Sequence, residues 1–297
     1  MLTVLDSEVA RIAERCSGVL GVEAGNLNGE EQVSFNSKEL FPTASVIKLP
    51  ILVALYSQVM MNKVDLSERI DIDVRQHLGG SGILKVFESG LRPTIKDVAT
   101  LMIVLSDNTA TNLILDVVGG VDPVNSLMES LGFPSIRLHN RIDFEAIGSD
   151  IRRLGESSAV EMCELNYRIA KGELLSPAIS EEIESILEQQ QYLNQFPRYM
   201  QVEPFWRELN QVPKIRISCK TGFFMGTRVD AGIVRFNGGG GFVYSVFNNE
   251  CEDKTFLPEA EGDVINGLVG LAILKHWWPK DQGEPPVVKP STLGAGK

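Results

Sequence analysis

Ser45 and Lys48 stand three residues apart at the head of an apolar run, a spacing that puts both on one face of a helix. A serine hydroxyl needs a base to become a nucleophile near neutral pH. A lysine that is poorly solvated and close to other cations gives up its proton readily, so this pair has the composition of a nucleophile and its activator. S-x-x-K also recurs by chance. Two further short motifs give it context: Ser106-Asp107-Asn108 and Lys220-Thr221-Gly222. A second lysine near Lys48 would lower its pKa, and a second serine permits proton relay without histidine. Singly, Asn108 reads equally well as a cap for a helix starting near Thr109, and Lys220 as a solvated strand residue.

These residues need elements to hold them. Residues 1–18 read as an amphipathic helix with Leu5, Val9, Ile12 and Cys16 on one side. Two short strands then meet at an Asn/Gly turn within residues 18–36, a hairpin pattern. The helix carrying Ser45 and Lys48 is expected to begin near Val46, which lets Pro50 fall in its first turn. Residues 55–210 read as mostly helical, with helices over 95–105, 109–118, 122–132, 158–171 and 180–191, and a charged, irregular surface loop over 137–157. Strands follow at 215–219, 231–236 and 241–248, with the glycines at 238–241 as a turn, and a helix over 264–277 closes the pattern. This order lets both ends of the chain share one antiparallel sheet, with a helical lobe between. A cleft between lobes is a usual place for a substrate. Residues 279–297, rich in Pro, Gly and Lys, are expected to be a disordered tail.

Composition narrows the function classes. With 43% hydrophobic and 23% charged residues in 297, the chain can build a large core without disulfides or metals. A net charge of −11 disfavours nucleic acid and anionic membranes as partners. Cys16, Cys163, Cys219 and Cys251 are far apart and form no C-x-x-C pair, so four reduced thiols are expected. His77, His139 and His276 are equally scattered, leaving little material for a histidine triad or a zinc site. No metal and no cofactor is expected. The N-terminus lacks the pattern of a secretory signal, so the chain as written reads as cytoplasmic, or periplasmic or secreted if a leader was removed. A monomer is expected.

The ordered set S-x-x-K, S-D-N and K-T-G, with 61 and then 114 residues between the motif heads, resembles the signature of the class A β-lactamases and the related penicillin-binding proteins. The resemblance runs over about residues 1–278. It implies the α/β two-lobed serine β-lactamase/D,D-peptidase fold: an antiparallel sheet flanked by helices plus an all-helical lobe. Residues 1–42 and 214–278 would form the α/β lobe and 43–213 the helical one. It further implies that Ser45 attacks an acyl carbon with Lys48 activating it, and that Ser106 passes a proton to the leaving group. Asn108 would bond a substrate amide. Lys220 and Thr221 would hold a substrate carboxylate, and Gly222 would let the strand edge approach the ligand. The backbone N–H groups of Ser45 and Phe223 would form the oxyanion hole. Arg228 is a second carboxylate binder on this reading, and an Arg–Asp pair with Asp230 is the equal alternative.

One part of the pattern is missing. The family's hydrolytic members carry a glutamate in the long loop that activates the deacylating water. Laid on the family without gaps, that position falls on Ile142. Asp143 and Glu145 are the nearest carboxylates and the candidates for the base. Glu164-Leu165-Asn166 matches part of the motif's letters but lies on an expected helix past the loop, and is read as a false match. The implied partner is a small acyl substrate: a β-lactam, a peptide or an ester. The first reading is a serine β-lactamase-like hydrolase acylated at Ser45. The others are a penicillin-binding D,D-peptidase-like acyltransferase, a serine esterase with weak lactamase activity, and a non-catalytic binding protein. Intact Ser45, Lys48, Ser106 and Lys220 argue against the last.

Overall fold

A computed structural model describes residues 3–203 and 205–288. Helix α1 (Val4–Ala13) opens on Thr3, whose hydroxyl accepts from Asp6 N while the Asp6 carboxylate accepts from Thr3 N. This reciprocal cap satisfies two donors that the first turn leaves free. The helix buries Leu5, Val9 and Ile12, the stripe its period predicts. Strands β1 (Val19–Asn26) and β2 (Gln32–Phe35) form the expected hairpin. A short β3 (Leu40–Pro42) leads into a 3₁₀ turn, Ala44–Ile47, and then α2 (Lys48–Met60). Helices α3 (Ile95–Val104), α4 (Asn108–Val118) and α5 (Val121–Ser130) follow, then β4 (Arg137–Leu138), α6 (Phe144–Ile147) and β5 (Gly155–Ser158). Helices α7 (Ala159–Lys171) and α8 (Pro177–Leu187) precede β6 (Ile215–Phe224), β7 (Thr227–Phe236), β8 (Gly241–Asn249) and α9 (Glu261–Trp277).

The main sheet has the order β2-β1-β8-β7-β6, antiparallel throughout, so the two ends of the chain do share it. Both of its faces are covered. Leu20, Val22, Phe242, Tyr244 and Val246 pack with α1 and α9 on one side. Val229, Ala231, Ile233, Val243 and Phe247 join α2, α3, α4, α7 and α8 in a continuous apolar cluster on the other. Side chains alternate across a strand, and here both alternating sets are apolar.

Four expectations need correction. Ser45 is not on an α-helix: it sits in the 3₁₀ turn, and α2 begins at Lys48. Residues 137–157 are not simply a loop, because β4 and β5 join β3 in a second, three-stranded sheet, and Ile142, Ile147 and Leu154 are buried beneath. Strands of two to four residues leave too little periodicity to detect. Between α2 and α3 there are only two 3₁₀ turns, Val74–Gln76 and Leu84–Val86, where helix was expected. The chain also does not become a free tail at residue 279: Lys280–Gln282 is a 3₁₀ turn, Trp278 Nε1 donates to Gly283 O at 2.9 Å, and Val287 bridges to Met200. Residues 289–297 of the expected tail lie outside the described residues. No helix among the described residues is long and apolar enough to cross a membrane.

Candidate active site

The 3₁₀ turn presents Ser45 at the mouth of a cleft of about 200 Å³. Ala44, just before it, has φ of +41°, a left-handed conformation that is uncommon outside glycine. The Ser45 side chain is partly exposed while its neighbours are buried. Strand β6 presses on this turn. A Cβ placed on Gly222 would lie 2.8 Å from Ser45 N and 2.9 Å from Thr43 O, so only glycine allows the edge strand to come this close. Gly222→Ala should therefore push the strand off the nucleophile and slow acylation about 10²-fold. Timing covalent labelling by intact mass checks this, and an unchanged rate would show that the close approach serves packing alone.

Lys48 is fully buried. Its Nζ donates to Ser106 O at 2.7 Å and to Asn108 Oδ1 at 2.9 Å, and lies 3.0 Å from Ser106 Oγ. Ser106 has φ of +51°, and this left-handed conformation turns its carbonyl and its hydroxyl to the same amine. Burial holds Lys48 well below the usual lysine range, the Lys220 ammonium lowers it further, and the Asp107 carboxylate opposes both. Asp107, to which sequence reasoning gave no role, accepts from Ile83 N at 2.6 Å, Leu84 N at 2.8 Å and Ala110 N at 2.9 Å. It caps α4 and ties it to the 83–84 turn, so the cap is Asp107 rather than Asn108. Asn108 lines the cleft with half of its amide's bonding capacity in use: Oδ1 to Lys48, Nδ2 to Gly79 O at 2.9 Å.

Lys220 is no solvated strand residue: it is fully buried, and Nζ donates to Thr221 O at 2.6 Å. Burial pushes its pKa down to about 7, against the Cys219 and Asp230 side chains, which favour its charge. Thr221 Oγ1 is buried and has no partner among the described residues. Such an orphaned hydroxyl is rare in native interiors unless a ligand completes it. Beneath the strand, Gln190 Nε2 spans Ile103 O and Cys219 O, and Gln195 Nε2 donates to Gly222 O at 3.0 Å. These two glutamines fix β6 from below. They carry no motif, so the sequence offered no signal for them.

Ser45, Asn108 and Phe223 line one cleft, with Ile142, Phe144, Ile147, Leu154 and Phe256 as its apolar wall. Asp143 and Glu145 do not reach it. Asp143 turns its carboxylate onto Glu145 N and Ala146 N to cap α6, and Glu145 is exposed. The two expected bases are thus corrected: the chain turns Ile142 inward and leaves both acids facing water. Glu164 lies on α7, paired with Arg168 at 3.0 Å. Arg228 is also corrected. It is buried with Nε on Asp263 Oδ2 at 2.6 Å and its other nitrogens on Phe224 O, Thr227 O and Thr255 O. An Arg–Asp pair exists, but with Asp263 and not Asp230; four of the five N–H donors are taken inside the protein and the side chain is buried away from the cleft. Asp230 instead receives Tyr244 Oη at 3.0 Å and Phe196 N at 3.2 Å.

Comparison with known proteins bears on the fold and the family. Over 136 residues the chain is 25% identical to β-lactamase VEB-1 from Pseudomonas aeruginosa, covering 45% of this chain and 46% of that one. The chain thus spans about half the length of the curated relatives it matches. Solved structures match over more. A β-lactamase from Sphaerobacter thermophilus DSM 20745 superposes with a TM-score of 0.79 at 26% identity, covering 92% of this chain and 96% of that one. A leucine-to-glutamate variant of PBP-A, solved as its acyl-enzyme complex with penicillin G, superposes with a TM-score of 0.77 at 25% identity, covering 92% and 95%. The fold is therefore the two-lobed class A β-lactamase fold that the three motifs imply. Residues 4–277 match the β-lactamase enzyme family, and with its serine, two buried lysines and close-pressed edge strand the chain belongs to that family.

Proposed function

We propose that this chain is a serine β-lactam hydrolase of the class A kind that is acylated at Ser45 and releases the acyl group slowly. The observation that carries the reading is the Lys48 amine: buried, depressed in pKa, and hydrogen-bonded to Ser106 one helical segment away. A neutral Lys48 keeps two N–H bonds, to Ser106 O and Asn108 Oδ1, and its lone pair, which faces the Ser106 hydroxyl at 3.0 Å, can take the Ser45 proton once that hydroxyl turns off it. Attack by Ser45 Oγ on the lactam carbonyl breaks the C–N bond and forms an ester. The proton then passes through Ser106 Oγ to the departing nitrogen, along the 3.0 Å contact already present. Ser45 N–H and Phe223 N–H are the oxyanion donors, each worth about 3 kcal/mol. Lys220 and the unpartnered Thr221 hydroxyl receive the substrate carboxylate. Asn108 has one free N–H and one free lone pair for the substrate amide.

The hydrolytic half is less well equipped, because no carboxylate lines the cleft among the described residues and Ile142 occupies the wall. This favours a second reading, a D,D-peptidase-like acyltransferase whose acyl-enzyme persists until an amine arrives. The likeness to PBP-A supports it. Incubation with a chromogenic cephalosporin, with and without an added amine acceptor and followed by intact mass and by product, distinguishes the two: the amine should shorten the life of the adduct only on the second reading. A stable adduct on Ser45 with slow colour release is the expected result. Ser45→Ala should take no label at all. Labelling of that variant overturns the nucleophile, and rapid turnover without a detectable adduct overturns slow release.

A further inference from the structure

The four cysteines are not all isolated. Cys16 stands three residues before β1 and Cys251 two residues after β8, and Val19 pairs with Asn249 in that ladder. The thiol sulfurs and a Glu261 carboxylate oxygen all lie within 4.8 Å of one another. The backbones here are pressed together: a Cβ on Gly18 would fall 2.2 Å from Asn249 O and 2.7 Å from Cys251 N. The geometry points to a redox couple, and we propose that Cys16 and Cys251 close to a disulfide by exchange with a small-molecule disulfide of the glutathione type.

The two sulfurs are unequal in the way such a couple requires. Cys16 is partly exposed and Cys251 is buried. The hydrogen bond from the Cys251 thiol lowers Cys16 to about 7, aided by Gly18 N–H and the Asn248 amide, against burial and the Glu261 carboxylate. The same hydrogen bond is the largest cause of the raised pKa of Cys251. Cys16 is therefore the attacking thiolate and Cys251 the protonated reserve. Asn248 is wholly buried, its Oδ1 lies 3.4 Å from the Cys16 sulfur and 2.5 Å from the Cys251 sulfur, and its Nδ2 has no partner among the described residues. Turning that amide over would aim the orphaned N–H₂ at the sulfurs as a donor to a thiolate. Cys163 and Cys219 offer no such setting: both are wholly buried with pKa values raised by burial.

The exchange balances in two steps. The Cys16 thiolate attacks one sulfur of the small disulfide, whose S–S bond breaks and releases a thiolate that takes a proton from solvent. Cys16, now in a mixed disulfide, no longer holds the Cys251 proton in place. Cys251 loses that proton to water or to Glu261 and attacks the Cys16 sulfur, releasing the second small thiol. Two protein thiols are oxidised and one small disulfide is reduced to two thiols.

The full chain is equilibrated near neutral pH with oxidised glutathione, quenched with acid, alkylated, and read by intact mass and by peptide mapping without reductant. Of the four cysteines, two should be lost together, with a mass decrease of about 2 Da before alkylation, two fewer alkyl groups after it, and a single cross-linked peptide pair joining Cys16 to Cys251. Cys251→Ser should stop at one glutathione adduct on Cys16. Cys16→Ser should leave the remaining thiols unmodified. Four intact thiols in the parent chain, a persistent glutathione adduct on it, or a bond involving Cys163 or Cys219 would each overturn the proposal.

Discussion

Lys48→Met should yield a folded chain that is acylated about 10⁴-fold more slowly than the parent, the upper range for loss of a positioned base. The amine is fully buried with its three contacts satisfied by Ser106 and Asn108. An unbranched apolar side chain of similar length fills the same space, at a cost of about 1–3 kcal/mol for the Ser106 and Asn108 acceptors it leaves unpaired. What goes is the lone pair. The pH profile supplies the check that a packing role would not produce. In the parent, acylation should rise with pH as Lys48 loses its proton, on a limb well below the ordinary lysine range. It should fall again above about 7, where Lys220 gives up the charge that holds the substrate carboxylate. Lys48→Met should erase the rising limb. Lys220→Gln should shift that limb to higher pH, because the positive neighbour that lowers Lys48 is gone. A Lys48→Met chain that retains parent-like acylation and its rising limb would remove the base from the mechanism.

How much of this was legible in the letters depends on the reach of each interaction. Ser45, Lys48, Ser106, Asn108 and the Lys220–Phe223 run announce themselves because their chemistry demands particular types in fixed order, and the fold brings them to one place. Helix α1 was legible in its buried face because cap and apolar stripe are both local. The strand expected over 215–219 stops short of K-T-G, whereas ten cross-strand pairs with β7 carry β6 through it to Phe224. Arg228 was misread because its partner Asp263 lies on α9, which only the folded chain brings beside β7. Asp143 and Glu145 were misread for a subtler reason. Their distance from the family position is one to three residues, and on a one-turn helix that small shift decides between cleft and solvent.

Ile142→Glu should convert a persistent acyl-enzyme into one that turns over, raising deacylation about 10²- to 10⁴-fold, the usual contribution of general base catalysis. The site is prepared for the change. The Asn112 side chain holds both backbone groups of Ile142, accepting from its N and donating to its O at 2.9 Å each, so the direction of the side chain is set by a clamp that does not involve the side chain itself. That direction is into the cleft that Ser45 opens on. A carboxylate there would be walled by Phe144, Ile147 and Leu154, and such apolar surroundings raise a carboxyl's pKa toward the range where it can take a proton from water. The substitution also places a polar group where an apolar one packed, at a cost of about 1–3 kcal/mol in stability, so the variant should melt earlier even as it turns over faster. Ile142→Gln has nearly the same shape and no base, and should lose the stability without gaining the rate. Single-turnover decay of the Ser45 adduct separates the two effects. Equal adduct lifetimes in the parent, the Glu variant and the Gln variant would mean that water enters from another side, and that Ile142 does not occupy the place from which this fold drives deacylation.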